Sequence, residues 1–283
     1  MRTPKISVLL CVYNPDRGQL LSAVNSMIDQ TFADWEMILY DDGSHKKYDD
    51  IIYEVSCLDE RIRYIKNFTH HSLAFGLNQC LKLASGDYIA RMDGDDISHP
   101  NRLKKQFIFL EKHPQYMWVG SNIIQIGEKG EVWGIHVYPK VPQSKDFLKY
   151  SPYAHSAVVM RRELILKHGA YVNGEKDFRG EDYELFMRLH AEGEQGYNLQ
   201  EPLLYYRESV QSYYKYSIRY SIQEAGIRWR GFCNLKILNP YTLLYVVKPI
   251  IRYLVPNKLI YIWKRQRGKQ DLRKWYRGEG GRS

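Results

Sequence analysis

Residues Ile6–Val12 read ISVLLCV, an unbroken apolar run no longer than one strand. A strand wet on one side alternates apolar and polar side chains, whereas a run apolar on both faces must be covered on both. Helices packed on the two faces of a parallel sheet supply that cover, so this run alone points to an α/β chain. Asn14, Pro15, Asp16 and Gly18 then break it, and residues 19–30 carry Leu20, Val24, Met27 and Ile28 at helical spacing. The alternation repeats. Strands are expected at 35–40, 62–66 and 88–92, and helices at 48–58, 75–84 and 101–112. Such alternation gives a doubly wound sheet flanked by helices.

Polar clusters sit where these strands end. Val12-Tyr13-Asn14 closes the first, Asp41-Asp42-Gly43-Ser44 the second and Asp93-Gly94-Asp95-Asp96 the fourth. Open α/β sheets bind ligands outside the carboxyl ends of their strands. Three carboxylates within four residues repel one another, and a cation relieves the repulsion. All-oxygen ligands suit Mg²⁺ or Mn²⁺. The other reading is a solvated acidic turn, because Asp and Gly are ordinary turn residues. Asp42 has the chemistry to accept hydrogen bonds from a base or a ribose, but Asp41 to Ser44 also reads as a capped turn. Tyr13 is either a stacking platform or a rim aromatic.

The pattern loosens after Trp118. Strands are expected at 119–126, 132–137, 157–161 and 203–207, with helices after 161, at 181–192 and at 213–230. Asp182 falls in the first turn of the 181–192 helix, where a carboxylate gains from the helix dipole. A general base for a hydroxyl would also be a carboxylate. His155 is either an acceptor or phosphate contact or a structural hydrogen-bonder, and Arg207 either a charged donor to a diphosphate or one half of a surface ion pair.

Charge divides the 283 residues. From Gly226 onward there are fourteen Lys and Arg against two Asp and Glu, while the first 225 residues carry a net −3. Residues 241–254 and 259–263 are apolar and aromatic, with Lys and Arg interspersed. Pro249 and Pro256 are expected to break any long helix there. Short basic amphipathic helices suit a membrane interface or a cap on the core. No nucleic-acid-binding motif accompanies the charge. The chain has 24 tyrosines, suited to surfaces half apolar and half wet. No signal peptide and no 18-residue apolar span is expected. Cys11, Cys57, Cys80 and Cys233 contain no CxxC pair and are expected to be buried, reduced thiols.

In combination the motifs resemble the family 2 glycosyltransferases of the GT-A fold. The resemblance rests on Tyr13-Asn14, Gln30-Thr31-Phe32, Trp35-Glu36 and Asp41-Asp42-Gly43-Ser44. It continues through Ser85-Gly86-Asp87-Tyr88-Ile89, Asp93-Gly94-Asp95-Asp96, Pro100, Arg102-Leu103, His155-Ser156, Met160-Arg161-Arg162 and Glu181-Asp182. It covers about residues 5 to 210. Within the family the chain looks most like EpsE-type exopolysaccharide transferases, through the run Tyr88 to Asp96, the segment Phe109 to His113 and the run Gly196 to Glu201. Lys248-Pro249 and Ile251-Arg252 carry that likeness into the basic tail.

The resemblance implies a Rossmann-like mixed sheet in a catalytic domain at 1–212. Its nucleotide-sugar part would span about 1–115 and its acceptor part about 116–212, with a basic helical extension at 213–283. It implies that Tyr13 and Asp42 hold the nucleobase, Asp93 the ribose or sugar, and Asp95 with Asp93 a Mn²⁺ or Mg²⁺ ion. Arg207 would reach the diphosphate. Asp182 would be the base of an inverting transfer, and Asp41, Asp96, His155 and Glu181 would support the site or meet the acceptor. The implied donor is a UDP-sugar and the implied acceptor a lipid-linked saccharide, at the cytoplasmic face of a bacterial membrane beside other polysaccharide-assembly proteins.

Many family members have Tyr-Arg-x-His after the last strand; here Tyr206-Arg207-Glu208-Ser209 lacks the His, which leaves metal completion by that residue open. No QxxRW-like motif marks a processive synthase. Neither a Gly-rich phosphate loop nor G-x-G-x-x-G follows the first strand, which excludes a sugar nucleotidyltransferase and a dehydrogenase. A non-enzymatic reading, a GT-A scaffold used as a binding or regulatory module, predicts loss of the metal acids or the base; all are present.

Overall fold

The computed structural model describes residues 3–172, 179–208 and 217–277. The amino-terminal half alternates as expected: β1 (Ile6–Val12), α1 (Arg17–Ile28), β2 (Trp35–Asp42), α2 (Asp49–Ser56), β3 (Ile62–Asn67), α3 (Leu73–Leu83) and β4 (Tyr88–Met92). A two-residue β5 (Ile97–Ser98) and α4 (Arg102–Lys112) follow. Local signals explain the boundaries. Asp16 Oδ1 accepts from Gln19 N at 3.0 Å to start α1, and Ser72 Oγ accepts from Phe75 N at 3.2 Å to start α3.

The carboxyl-terminal half contributes β6 (Trp118–Ile126), β7 (Val132–His136), β8 (Val159–Arg161), α5 (Arg162–His168), α6 (Glu181–Ala191) and β9 (Gly196–Arg207). Three helices close the chain: α7 (Ile218–Asn234), α8 (Leu243–Tyr253) and α9 (Asn257–Tyr276). Among the described residues one nine-stranded mixed sheet runs β3-β2-β1-β4-β8-β6-β9-β5, with β7 beside β6. β1 pairs in parallel with β2 and β4, and β2 with β3. β8 is antiparallel to β4 and β6, and β9 is parallel to β6.

This register builds the site. Val12 lies opposite Asp41 and Leu10 opposite Met92. The three strands therefore release Tyr13, Asp42 and Asp93 at the same edge. Leu9, Leu10, Ile38, Leu39 and Ala90 are fully buried, as cover by helices on both faces requires. α3 approaches closely because residue 76 is glycine; a Cβ there would overlap Cys11 Sγ and press on Tyr40.

Polar groups pin the core under the site. The Arg102 guanidinium, fully buried, donates to the carbonyls of Arg91 (3.0 Å) and Ser156 (2.7 Å). Gln30 donates to Ser26 O and His99 O, both at 2.9 Å, and accepts from Leu103 N at 3.0 Å. Each satisfied buried group fixes one loop against another.

Three expectations change. β9 begins at Gly196 rather than 203. The register shifts where Asn122 meets Pro202, and the irregularity absorbs the missing N–H. In the tail, Pro249 lies inside α8 and Pro256 caps the start of the 20-residue α9, so the second proline launches a helix. Cys57 and Cys233 are exposed, Cys57 at the end of α2 and Cys233 on the outer side of α7; all four cysteines are free thiols. Residues 213–216 of the helix expected at 213–230 lie outside the described residues.

α9 lies on the sheet. A Cβ on Gly268 would meet the Trp133 ring at 2.7 Å, and one on Gly134 would meet Gly268 Cα at 3.0 Å, so paired glycines let helix and strand touch. No helix among the described residues is long and apolar enough to cross a membrane.

Candidate active site

A cavity of about 910 Å³ opens at the strand ends, lined by Cys11 to Asp16 and by Asp93, Gly94, Asp95 and Arg207. A second cavity of about 760 Å³ joins it along Asp93, and its wall includes His155, Glu181, Asp182 and Lys264. The fold thus brings the acidic loop and the start of α6 to one space. Asp41, Asp42 and Asp96 stand just behind this surface, fully or almost fully buried.

The acidic loop holds a cluster whose carboxylates, from Asp93, Asp95 and Asp96, lie within 4.8 Å of one another. They are not equivalent. Asp96 uses Oδ1 to accept from Arg207 N at 2.8 Å and Oδ2 to accept from Ser156 Oγ at 2.6 Å. Its burial, with the charges of Asp93 and Asp95, holds its carboxyl well above the ordinary range. Asp96 ties the loop to β9 and to the turn before β8. Asp95 is the exposed member of the cluster; partial desolvation of its carboxyl by the cavity wall, with the charge of Asp93, raises it to about 6. The remaining donors, Asp95 and Asp93, are hard oxygens in an electrostatically frustrated pair, a set that fits Mg²⁺ or Mn²⁺.

Arg91 is the functional residue that sequence reading missed. It is buried at the end of β4 and donates to Met92 O and to Asp93 Oδ1. Burial alone would lower its pKa; the charge and hydrogen bond of Asp93 more than reverse that, so the guanidinium stays charged under the acidic loop. A basic residue inside an apolar strand that ends in aspartates was the available signal.

At the β2 end the two aspartates separate by role. Asp41 Oδ1 accepts from Ser44 N at 2.8 Å and shapes the turn. Ser44 Oγ in turn accepts from Asn14 N at 2.9 Å, and Asn14 sits at φ 49°. Asp42, 1% exposed, accepts from His71 N at 3.0 Å and lies 2.9 Å from His70 Nδ1, while its Oδ1 is buried without a well-formed hydrogen bond. Burial raises its pKa against those stabilising contacts. The His70 ring stacks on Tyr13, centroids 3.6 Å apart and 12° from parallel. His70 and His71 are also new to the site; two histidines just past a strand end were the clue.

Arg207 makes no side-chain ion pair among the described contacts. Its Nε donates to Asp95 O at 2.7 Å, and its Nη1 to Gly127 O at 2.9 Å and Glu128 O at 2.8 Å. It is a clamp on two loops at the rim of the first cavity. Ser209, where the related pattern has His, lies outside the described residues.

On the other wall, Gly180 at φ 95° turns the chain into α6 and presents Glu181 and Asp182. Burial raises Asp182 to about 6 against the pull of backbone N–H groups, and Asp93 adds to the rise. Glu181 rises to about 7 through burial and the charge of Asp182. A carboxylate tuned to this range can take a proton near neutral pH. His155 bonds Tyr171 Oη through Nε2 at 2.8 Å, and burial with the nearby Arg91 charge pushes its pKa well down. The ring is neutral, which suits a positioning role better than anion binding.

The sequence model described as glycosyl transferase family 2 matches residues 7–169. A putative glycosyltransferase EpsE of Bacillus subtilis is 37% identical over 93% of this chain and 94% of its own length. An Escherichia coli UDP-Gal:alpha-D-GlcNAc-diphosphoundecaprenol beta-1,3-galactosyltransferase is 31% identical over 93% and 96%. Among solved structures, S. aureus TarS 1-349 with UDP-GlcNAc superposes with TM-score 0.64 at 17% identity, covering 87% of this chain and 71% of its own. Mannosyltransferase PcManGT of Pyrobaculum calidifontis, with GDP-Man and Mn²⁺, gives 0.63 at 14% identity over 99% and 84%. The fold is therefore GT-A.

Proposed function

The chain belongs to glycosyl transferase family 2 and is a glycosyltransferase, and we propose that it performs an inverting, metal-dependent transfer from a UDP-sugar to a hydroxyl of a lipid-linked saccharide. The observation that carries the reading is that Asp93 and Asp182 line one cavity. In this reading donor and acceptor meet there.

In this reading residues 1–115 bind the nucleotide, 116–212 the acceptor, and 213–283 form the basic extension. Tyr13 and Asp42 hold the nucleobase, and Asp93 orients the ribose or sugar. Asp93 and Asp95 would hold Mn²⁺ or Mg²⁺, whose chemistry when bound is to neutralise charge on the departing diphosphate. Arg207 keeps the loop of Asp95 in place and stands beside that diphosphate. Asp182 accepts the acceptor hydroxyl proton while that oxygen attacks the anomeric carbon on the face opposite the nucleotide. The bond from carbon to the diphosphate oxygen breaks, and its electron pair leaves on the nucleotide. A single base suffices, and inversion follows from single displacement.

The acceptor reading is supported by the E. coli relative, whose name specifies a diphosphoundecaprenol-linked sugar. The basic extension, with Leu244, Leu254 and Trp263 exposed on α8, its end and α9, supports peripheral attachment at the inner face of the membrane. The test is calorimetry of UDP, GDP and dTDP with and without Mn²⁺, on the native chain and on Asp95→Ala. Mn²⁺-dependent binding of UDP, lost in the variant, is expected. If no nucleotide binds to folded protein, the reading falls and a non-catalytic scaffold takes its place.

A further inference from the structure

His70 touches both of the residues that the reading above gives to the nucleobase. Its ring stacks on Tyr13, centroids 3.6 Å apart and planes 12° from parallel. Its Nδ1 lies 2.9 Å from Asp42 Oδ2 and 3.2 Å from the Asp42 carbonyl oxygen. Tyr13 lines the first cavity and His70 the second, whereas Asp42 lines neither and is almost fully buried. A nucleobase is a planar ring asked to do the same two things, to lie on Tyr13 and to meet the Asp42 carboxylate. His70 already does both.

The surroundings of His70 fix its backbone and not its ring. His71 N donates to Asp42 Oδ2 at 3.0 Å, and Asn67 Nδ2 donates to Thr69 O at 2.7 Å. Gly43 packs so closely that a Cβ on it would lie 2.5 Å from His70 N. The neighbouring His71 ring is held as well, stacked on Phe75 with centroids 4.1 Å apart and with Nδ1 3.0 Å from Asn67 Nδ2. The His70 ring is held by Tyr13 and Asp42 themselves, and it borders the open space of the second cavity. Asp42 gains from a change of partner. Its Oδ1 is buried without a well-formed hydrogen bond, and His71 Nδ1 is 3.7 Å away. A buried acceptor left in that state is costly, and the N–H edge of a base supplies the missing donor.

We propose that the His70 ring is a stand-in for the nucleobase: it closes the base site of the empty protein and is displaced into the second cavity by the base of the incoming donor. The inference rests on the reading above for the assignment of Tyr13 and Asp42 to the base. An arriving base remakes the stack on Tyr13 and adds a donor for Asp42 Oδ1, so the exchange runs in its favour. It still binds more weakly than it would to an open site, by the fraction of molecules in which the site is shut. A bare diphosphate has no ring to offer and leaves His70 in place.

Calorimetry of UDP with Mn²⁺, on the native chain and on His70→Ala, measures the competition. The variant should bind about three- to tenfold more tightly, the factor that one aromatic stack represents. NMR of the native chain, with its histidines labelled, reads the displacement directly. The His70 ring protons, assigned by their loss in His70→Gln, lie over the Tyr13 ring and are shielded by it. They should move downfield on addition of UDP with Mn²⁺ and stay in place with inorganic diphosphate and Mn²⁺. Equal or weaker UDP binding by a folded His70→Ala would overturn the proposal, because the imidazole would then be a bystander or a second wall for the base. So would a His70 signal that UDP leaves unmoved. If no nucleotide binds the native chain, the transferase reading falls and the stand-in with it; if UDP binds while His70 stays on Tyr13, the stand-in alone falls.

Discussion

Asp182→Asn should make the protein more stable while removing its activity, by an amount that depends on pH. The Asp182 carboxyl titrates near 6 in the folded chain against an ordinary 3.8. Between those values the folded state holds a proton that the unfolded chain has released, so stability falls as pH rises across the window and is level above it. Ionising Asp182 therefore costs the folded state on the order of 1–2 kcal/mol at pH 5 and about 3 kcal/mol at pH 8. Asparagine has nearly the same shape and never ionises. Glu181, whose own rise to about 7 owes part to Asp182, is relieved as well. In metal-free buffer the variant should melt higher than the native chain, with a gap about 2–4 °C wider at pH 8 than at pH 5. Under transfer conditions it should lose about 10²–10⁴ in kcat, the usual contribution of a general base. The assay is a thermal melt at pH 5, 6, 7 and 8 on both proteins, beside rate measurements. A gap that does not change with pH, or a variant that melts lower at pH 8, would refute the argument that burial raises this carboxyl.

Three further outcomes follow from other parts of the structure. Arg207→Lys should weaken UDP binding in Mn²⁺ about tenfold by calorimetry, because one ammonium cannot replace a planar donor that holds Asp95 O, Gly127 O and Glu128 O together. Gly268→Leu should lift α9 from β7, lowering stability by about 1–3 kcal/mol and speeding tryptic loss of the tail in limited proteolysis. Cys57 and Cys233 should react quickly with a thiol reagent in the native state. Cys80 should wait for unfolding, since burial pushes its thiol up to about 12.

Strand-length apolar runs and the polar breaks after them were enough to place β1, β2 and β4, because burial on both faces leaves few other ways to use ISVLLCV. The same runs located the site, since the parallel register brings the ends of β1, β2 and β4 to one edge. That Asp93, Asp95, Asp182 and Tyr13 would line the candidate site was legible because each follows a strand or opens a helix. What sequence could not separate was role within a cluster. Asp41 and Asp42 are adjacent and identical in type, yet one shapes a turn and the other keeps a carboxylate oxygen without a well-formed hydrogen bond; only the positions of Ser44 and His71 divide them. Asp96 and Asp95 divide in the same way, through Ser156, sixty residues on. Arg91 looked like one polar interruption in a strand, and its partner is two residues away on a loop whose shape the sequence does not state. In the tail, proline chemistry alone could not tell a helix breaker from a helix starter.

The basic extension is joined mechanically to the acidic loop, and the joint is the end of β9. Arg207 holds the acidic loop through its backbone N–H to Asp96 and its side chain to Asp95 O. The next residue, Glu208, is 7% exposed and takes Lys264 of α9 at 2.6 Å. Two consecutive residues thus bind the acidic loop on one side and the tail helix on the other. A carboxylate so deeply placed tolerates its charge only with partners, so docking of α9 and the placement of β9's last residues support each other. Lys264 brings positive charge from the tail to the cavity that contains Asp93 and Asp182, where a metal-free site carries an excess of carboxylates.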